Sequence, residues 1–199
     1  MSAWTKVGAA RSADASPARR PNVGLIGAVF FIVSESMFFL GLFLAYFYLR
    51  ALSKTWPPPD TPPLSTVLPT LNTGVLLIST LFMAWAERGI ARGDARRLQI
   101  GTGVAAVLGL IFLTIQAFEI ADLGFAPHSS AYGSAFFFLM GFHVVRVFGG
   151  VVFMVIILAR ALIGQFSARR RAAVQACALY WYFLAGVWLV VFWVLYWLK

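Results

Sequence analysis

Apolar and polar positions alternate along the chain on a long scale, in five apolar runs separated by short polar segments: roughly Val23 to Leu49, Ser65 to Ala86, Leu98 to Ile120, Ala131 to Ala159 and Ala172 to Leu198. Each run reaches the ~20 residues that an α-helix needs to cross the hydrocarbon core of a bilayer. The pattern therefore predicts an all-α, polytopic membrane domain over residues 23–199, built from five transmembrane helices. Residues 1–22 are rich in Ala, Ser, Arg and Pro, carry no apolar run and read as a disordered tail. The first apolar run is too long for a signal-peptide core and is not followed by a small-residue cleavage site.

The polar punctuation predicts how the helices turn. Pro21 and Asn22 give the first helix a restricted entry and a candidate N-cap. The segment WPPPDTPP, Trp56 to Pro63, is too proline-rich to be helical and predicts a stiff extended loop with Trp56 near the headgroup level. Pro69 falls inside the second run, where it can be tolerated at a first turn or as a kink. ERGIARGDARR, Glu87 to Arg97, reads as a solvated turn, and ADLGFAPHSS, Ala121 to Ser130, as a second short loop. Loops this short make successive helices antiparallel neighbours. The last run ends in Trp193, Tyr196, Trp197 and Lys199, an aromatic belt with a snorkelling lysine.

Composition removes the soluble alternative. With 61% hydrophobic residues, 12% charged residues and a mean hydropathy of +0.84, a soluble domain of this size could not hide its apolar surface. The net charge of +9 invites a nucleic-acid reading, but the distribution opposes it. Twelve of the 16 basic residues fall on the side of the N-terminal tail, three (Arg50, Lys54 and Lys199) on the other, and Arg146 lies inside a run. That asymmetry is the positive-inside pattern, with the N-terminus cytoplasmic and the C-terminus outside. Lipid headgroups are the only polyanion it requires, so no nucleic-acid partner is expected. Cys177 is the single cysteine, which excludes an intramolecular disulfide and a cysteine metal cluster.

Polar residues inside the apolar runs are the candidates for function. Glu35 stands about twelve residues into the first helix, roughly 18 Å along it and near the bilayer centre. An ionised carboxylate exposed to lipid there is expensive, so it must be protonated, paired, or turned toward protein or water. His143 and Arg146 sit three residues apart on one face of the fourth helix, at matching depth. Arginine does not readily surrender its charge, so Arg146 requires a partner, either Glu35 or a lipid phosphate reached by local thinning, and Glu35 could pair with Arg146 or with His143. Glu119 and Asp122, at the end of the third helix, read as interfacial, solvated carboxylates, with Gln116 one turn deeper. Gly141, Gly149 and Gly150 would allow close approach of the fourth helix to a neighbour. Asn72 and Thr73 offer polar contacts near the start of the second helix.

No nucleophile with its base, phosphate loop or carboxylate metal pair emerges from these residues. The only other histidine, His128, lies in a loop, so the chain cannot build a bis-histidine haem site in the membrane. A transporter, an enzyme and a non-catalytic subunit are the three classes to weigh. Five helices without paired Gly/Pro-broken segments argue against the first, and the missing catalytic set argues against the second. A redox-free bundle that packs on a catalytic membrane partner fits best.

The residues that frame these positions carry a resemblance. FFIVSESMFFLGLFLAYF (Phe30 to Phe47), WPPP (Trp56 to Pro59), LPTLNTGVLLIST (Leu68 to Thr80), QAFEI (Gln116 to Ile120) and AYGSAFFFLMGFHVVRVFGG (Ala131 to Gly150) occur in order, followed more loosely by YWYFLAGVWLVVFWVLYW (Tyr180 to Trp197). The set resembles subunit III of the haem-copper terminal oxidases in its five-helix bacterial form. The resemblance implies a V-shaped bundle in the bacterial cytoplasmic (inner) membrane that binds structural phospholipids but no haem or copper. Haem and copper would reside in the partners: the catalytic subunit I of a proton-pumping cytochrome c oxidase and the copper-binding subunit II. Further assembly into a respiratory supercomplex is compatible with it. It also implies that Glu35 is the membrane carboxylate known for carbodiimide reactivity, facing the catalytic subunit and supporting proton uptake and durable turnover. Glu119 matches the acid after the third helix, and His143 the first histidine of the family's GFHGLHV pattern.

Three departures stand out. Arg146 replaces the second histidine of that pattern, and in the last helix YWYFLA replaces YWHFVD, so that Tyr182 and Ala185 stand where the family has a histidine and an aspartate. VQACAL, Val174 to Leu179, replaces an acidic and histidine-containing patch. These changes keep open an accessory subunit of a nitric oxide reductase or another diverged haem-copper enzyme, and beyond that a small transporter or scaffold.

Overall fold

The computed structural model describes residues 23–59 and 61–198. The N-terminal tail, the Pro21 and Asn22 entry signal and Lys199 lie outside the described residues. The described residues form five helices: α1 (Val23–Leu52), α2 (Val67–Ala91), α3 (Ala95–Ala121), α4 (Ala131–Leu162) and α5 (Ala172–Phe192), the last continuing into a π-helical turn over Trp193–Trp197. All five are long and apolar enough to cross a membrane, and no strand occurs among the described residues.

Two ends of the bundle can be told apart by their loops. One, the Trp56 end, carries residues 53–59 and 61–66, residues 122–130 and the end of α5; the other, the Arg92 end, carries the start of α1, the α2–α3 turn and residues 163–171. The α2–α3 turn is shorter than its charge pattern suggests. The helices run through most of Glu87 to Arg97 and leave only residues 92–94 between them. Gly93 supplies the reversal at φ +82°, a conformation that costs other residues. Asp94 then caps α3 by accepting from the Arg97 backbone N–H at 3.1 Å. Helical backbone satisfies its own hydrogen bonds, so charged side chains can project from helices that extend past the apolar core. At the other end, Ser130 caps α4 by accepting from the Gly133 N–H at 3.0 Å.

Sequential neighbours pack together, α2 on α3, α3 on α4 and α4 on α5, and α5 returns against α2 to close the group. α1 packs on α4 and α5. It is the least enclosed helix, with only Phe39 and Tyr46 buried along its length. Its apolar residues thus face outward, which in lipid is no penalty, because acyl chains are as apolar as leucine. The Trp56 loop folds back instead of standing at the surface alone. Trp56 donates its indole N–H to the Tyr46 hydroxyl at 3.0 Å and packs edge-to-face on Tyr46 and Tyr132.

Without a hydrophobic drive between helices in lipid, packing rests on close contact and polar bridges. Both occur where α5 meets α2, α3 and α4. Trp181 donates to Ser79 Oγ at 2.9 Å and Trp188 to Thr73 Oγ1 at 2.8 Å, two rungs that tie α5 to α2. Trp181 fits only because Gly109 and Gly150 lack side chains: a Cβ at Gly109 would stand 2.9 Å from its ring, and one at Gly150 3.0 Å. Gly141 and Gly149 face open space, so of the three glycines singled out in α4 only Gly150 serves a close approach.

Candidate functional site

Glu35 and Arg146 meet across the α1–α4 interface. Arg146 donates through Nε to Glu35 Oε2 and through Nη2 to Oε1 at 3.3 Å, a two-pronged ion pair. Both side chains are 16% exposed, so the pair lies at the edge of the bundle and is largely screened by it. The guanidinium is also enclosed by aromatic faces, 4.3 Å from the Phe38 centroid, 5.2 Å from Phe39 and 5.5 Å from Phe142. Such faces attract a cation, each by about 0.5–2 kcal/mol depending on desolvation. Nη1 reaches the Phe142 carbonyl at 3.4 Å. A fixed cation is thus accommodated deep in an apolar helix by one carboxylate, one carbonyl and three rings.

His143, one turn away on α4, does not join the pair. Its ring is fully buried, stacked on Trp188 at 5.1 Å and flanked edge-on by Phe39 and Phe112. Neither ring nitrogen has a hydrogen-bond partner among the described residues. α4 therefore presents Arg146 to α1 and His143 to the interior.

Glu119 corrects a reading of the sequence: it is not a solvated interfacial acid. It is buried, 9% exposed, and accepts from the Tyr196 hydroxyl and from Gln116 Nε2 at 2.9 Å. Gln116 Oε1 in turn accepts from Asn72 Nδ2 at 3.3 Å, and the same Asn72 nitrogen donates to the Phe112 carbonyl at 3.2 Å. A polar seam thus joins α2, α3 and the end of α5. Rotation of α3 sets this burial: Gln116 and Glu119, three residues apart, share the face that meets α2 and α5. Asp122, just past the helix, is exposed. Both acids line an open groove of about 690 Å³ at the Trp56 end, walled by Pro62, Pro69 and Phe118.

Tyr182 lies toward the Arg92 end and donates to Glu87 Oε2 at 3.1 Å, linking α5 to α2. Ala185 is buried in the core. Arg50 Nη1 donates to the Leu198 carbonyl at 2.7 Å and ties the end of α1 to the end of the chain. Neither the Glu87–Tyr182 contact nor the two Trp–hydroxyl rungs has a signal in a single sequence, because their partners lie about a hundred residues apart. Among the described residues no group of three or more His, Cys, Asp or Glu side chains could hold a metal.

These features define a class: a multi-pass helical membrane protein whose conspicuous polar chemistry is an intramembrane ion pair and a buried hydrogen-bonded seam. Residues 16–199 match the family Cytochrome c oxidase subunit III, and the chain belongs to that family. It is 36% identical over 177 residues to "Cytochrome c oxidase subunit 3" of Synechocystis sp., covering 88% of this chain and 76% of the relative. Against the protein of the same name from Thermostichus vulcanus it is 30% identical over 177 residues, covering 88% of each. Against that of Strongylocentrotus purpuratus it is 36% identical, covering 86% of this chain and 68% of the relative. The reductase-subunit, transporter and scaffold readings are not favoured by these matches.

Proposed function

We propose that this chain is the non-catalytic third subunit of a bacterial cytochrome c oxidase, seated in the cytoplasmic membrane with its N-terminus cytoplasmic. It packs on subunit I, which carries haem and copper and reduces oxygen, and it accompanies the copper-bearing subunit II. Twelve basic residues on the side of the tail support the orientation. The observation that carries the packing role is α1. This helix is apolar nearly all round, encloses only two of its own residues and holds the Glu35–Arg146 pair at the rim of the bundle. Lipid can cover the apolar residues of α1, so what singles this face out for a protein partner is the ion pair at its rim.

In this role Glu35 and Arg146 fix the α1–α4 surface that meets the catalytic subunit and support proton uptake and durable turnover, while phospholipids fill the apolar grooves beside α1. The departures at Arg146, Tyr182 and Ala185 retain this packing role and change the polar lining. Purification in mild detergent through an N-terminal tag tests the reading. An a-type haem spectrum with a large catalytic chain and a copper-binding chain is expected; purification of the chain without any haem-bearing partner would refute it.

A further inference from the structure

Among the described residues, four buried side-chain atoms have no hydrogen-bond partner: Asn72 Oδ1, Thr102 Oγ1 and the two ring nitrogens of His143. A buried donor or acceptor left unsatisfied costs more than a hydrogen bond is worth. Polar groups in this situation are commonly satisfied by ordered water.

Asn72 and His143 belong to one locality. Asn72 bonds the Phe112 carbonyl. The Phe112 ring lies 6.2 Å from the His143 ring and 5.0 Å from Trp188. Trp188 stacks on His143, and its indole N–H bonds Thr73, the residue after Asn72. Thr102 is ten residues from Phe112 along α3, roughly 15 Å away, and is a separate case.

The orientation of Asn72 is determined by its neighbours. Glu119 accepts from Gln116 Nε2, which leaves Gln116 Oε1 to accept from Asn72, and the Phe112 carbonyl can only accept. The Asn72 amide nitrogen must face these two acceptors, so its oxygen is an acceptor pointing away from them. A neutral imidazole offers one N–H donor and one acceptor nitrogen. A water molecule can donate to Asn72 Oδ1 and still accept from, or donate to, His143.

We propose that a buried water site lies between α2, α3 and α4, holding one water or a file of two, bonded to Asn72 Oδ1 and to His143. The site extends the Tyr196–Glu119–Gln116–Asn72 seam from the groove at the Trp56 end to the middle of α4. Side-chain amides do not pass protons readily, so the seam is a scaffold that orients this water, not a proton wire.

A cryo-electron microscopy map of the detergent-solubilised protein, with the chains that accompany it, tests the site at a resolution where ordered water is visible. The expected result is a density peak at about 2.8–3.0 Å from a His143 ring nitrogen, reaching Asn72 Oδ1 directly or through a second peak. His143→Phe keeps the stack on Trp188 and should abolish the peak; Thr102→Val should leave it in place. An empty site in the unsubstituted protein, an imidazole bonded to a protein group instead, or a peak that persists in His143→Phe would each overturn the proposal. If the variants fail to assemble, the unsubstituted map decides alone.

Discussion

Arg146 holds both carboxylate oxygens of Glu35, and three phenylalanine-ring contacts surround its guanidinium. The pair is asymmetric in what its members tolerate. A neutral residue in place of the acid leaves a cation that cannot readily neutralise itself. Breaking a buried pair from one side costs about 3–5 kcal/mol, whereas replacing both members is far milder. At 16% exposure the penalty lies toward the low end of that range. Glu35→Gln alone should lower the melting temperature and the yield of assembled protein in detergent, and Glu35→Gln with Arg146→Gln should recover most of the loss. Equal loss in the two would mean that the pair is not the unit of stability.

The same grip makes a chemical prediction. A hydrophobic carbodiimide must engage a carboxyl oxygen, and here each oxygen faces a guanidinium N–H. Glu35 should resist modification in the intact protein and become labelled once Arg146→Gln frees it, as read by peptide mass spectrometry. Prompt labelling of Glu35 in the unsubstituted protein would show that the clasp opens in the membrane.

Neighbouring glycines on α4 should behave in opposite ways. A methyl group at Gly150 would meet Leu184 at 2.9 Å and Trp181 at 3.0 Å, while one at Gly149 meets nothing within 4 Å. Overpacking costs about 1–3 kcal/mol, and removing an unneeded helical glycine gains up to about 1 kcal/mol. Thermal melts should therefore place Gly150→Ala below the unsubstituted protein and Gly149→Ala at or above it.

Hydropathy carried the number of helices and their order, because a span must be long and apolar whatever surrounds it. Counting residues from the ends of the runs also placed Glu35 and Arg146 at one depth. The faces were harder to read. In a soluble helix the apolar stripe marks the core, but a helix in lipid is apolar toward both protein and acyl chains. Nothing in the local pattern says that Glu119 turns inward while Asp122 stays outside, or that Gly150 meets Trp181 while Gly149 meets nothing. Those rotations follow from contacts between distant residues, such as Tyr196 with Glu119 and Trp188 with Thr73.

Tyr182→Phe isolates a contact near the Arg92 end. It removes the hydroxyl that bonds Glu87 at 3.1 Å and leaves the ring in place. The bond joins two partly buried groups, so the cost should be modest, about 0.5–1.5 kcal/mol. A drop in melting temperature of the same size in Glu87→Leu, with no further drop in the double variant, would identify the pair as the shared cause.

The seam around Glu119 offers a sharper test, because its hydrogen-bond directions are interlocked. The Phe112 carbonyl cannot donate, so Asn72 must present its nitrogen there; Gln116 must then present its oxygen to Asn72 and its nitrogen to residue 119. Residue 119 must accept on that side. In Glu119→Gln the new amide can meet this demand only by turning its oxygen toward Gln116 and its NH2 toward Tyr196. The Tyr196 hydroxyl can accept from that NH2, but its own proton loses the carboxylate it served. An unsatisfied buried donor costs about 1–3 kcal/mol. Glu119→Gln should therefore destabilise the protein by that order, and adding Tyr196→Phe should cause little further loss, since it exchanges one orphaned donor, the hydroxyl proton, for another, the N–H of the new amide. The double-mutant cycle should show a coupling well above 0.5 kcal/mol, outside the range of independent sites. Strict additivity would mean that Tyr196 and Glu119 are not bonded in the working protein.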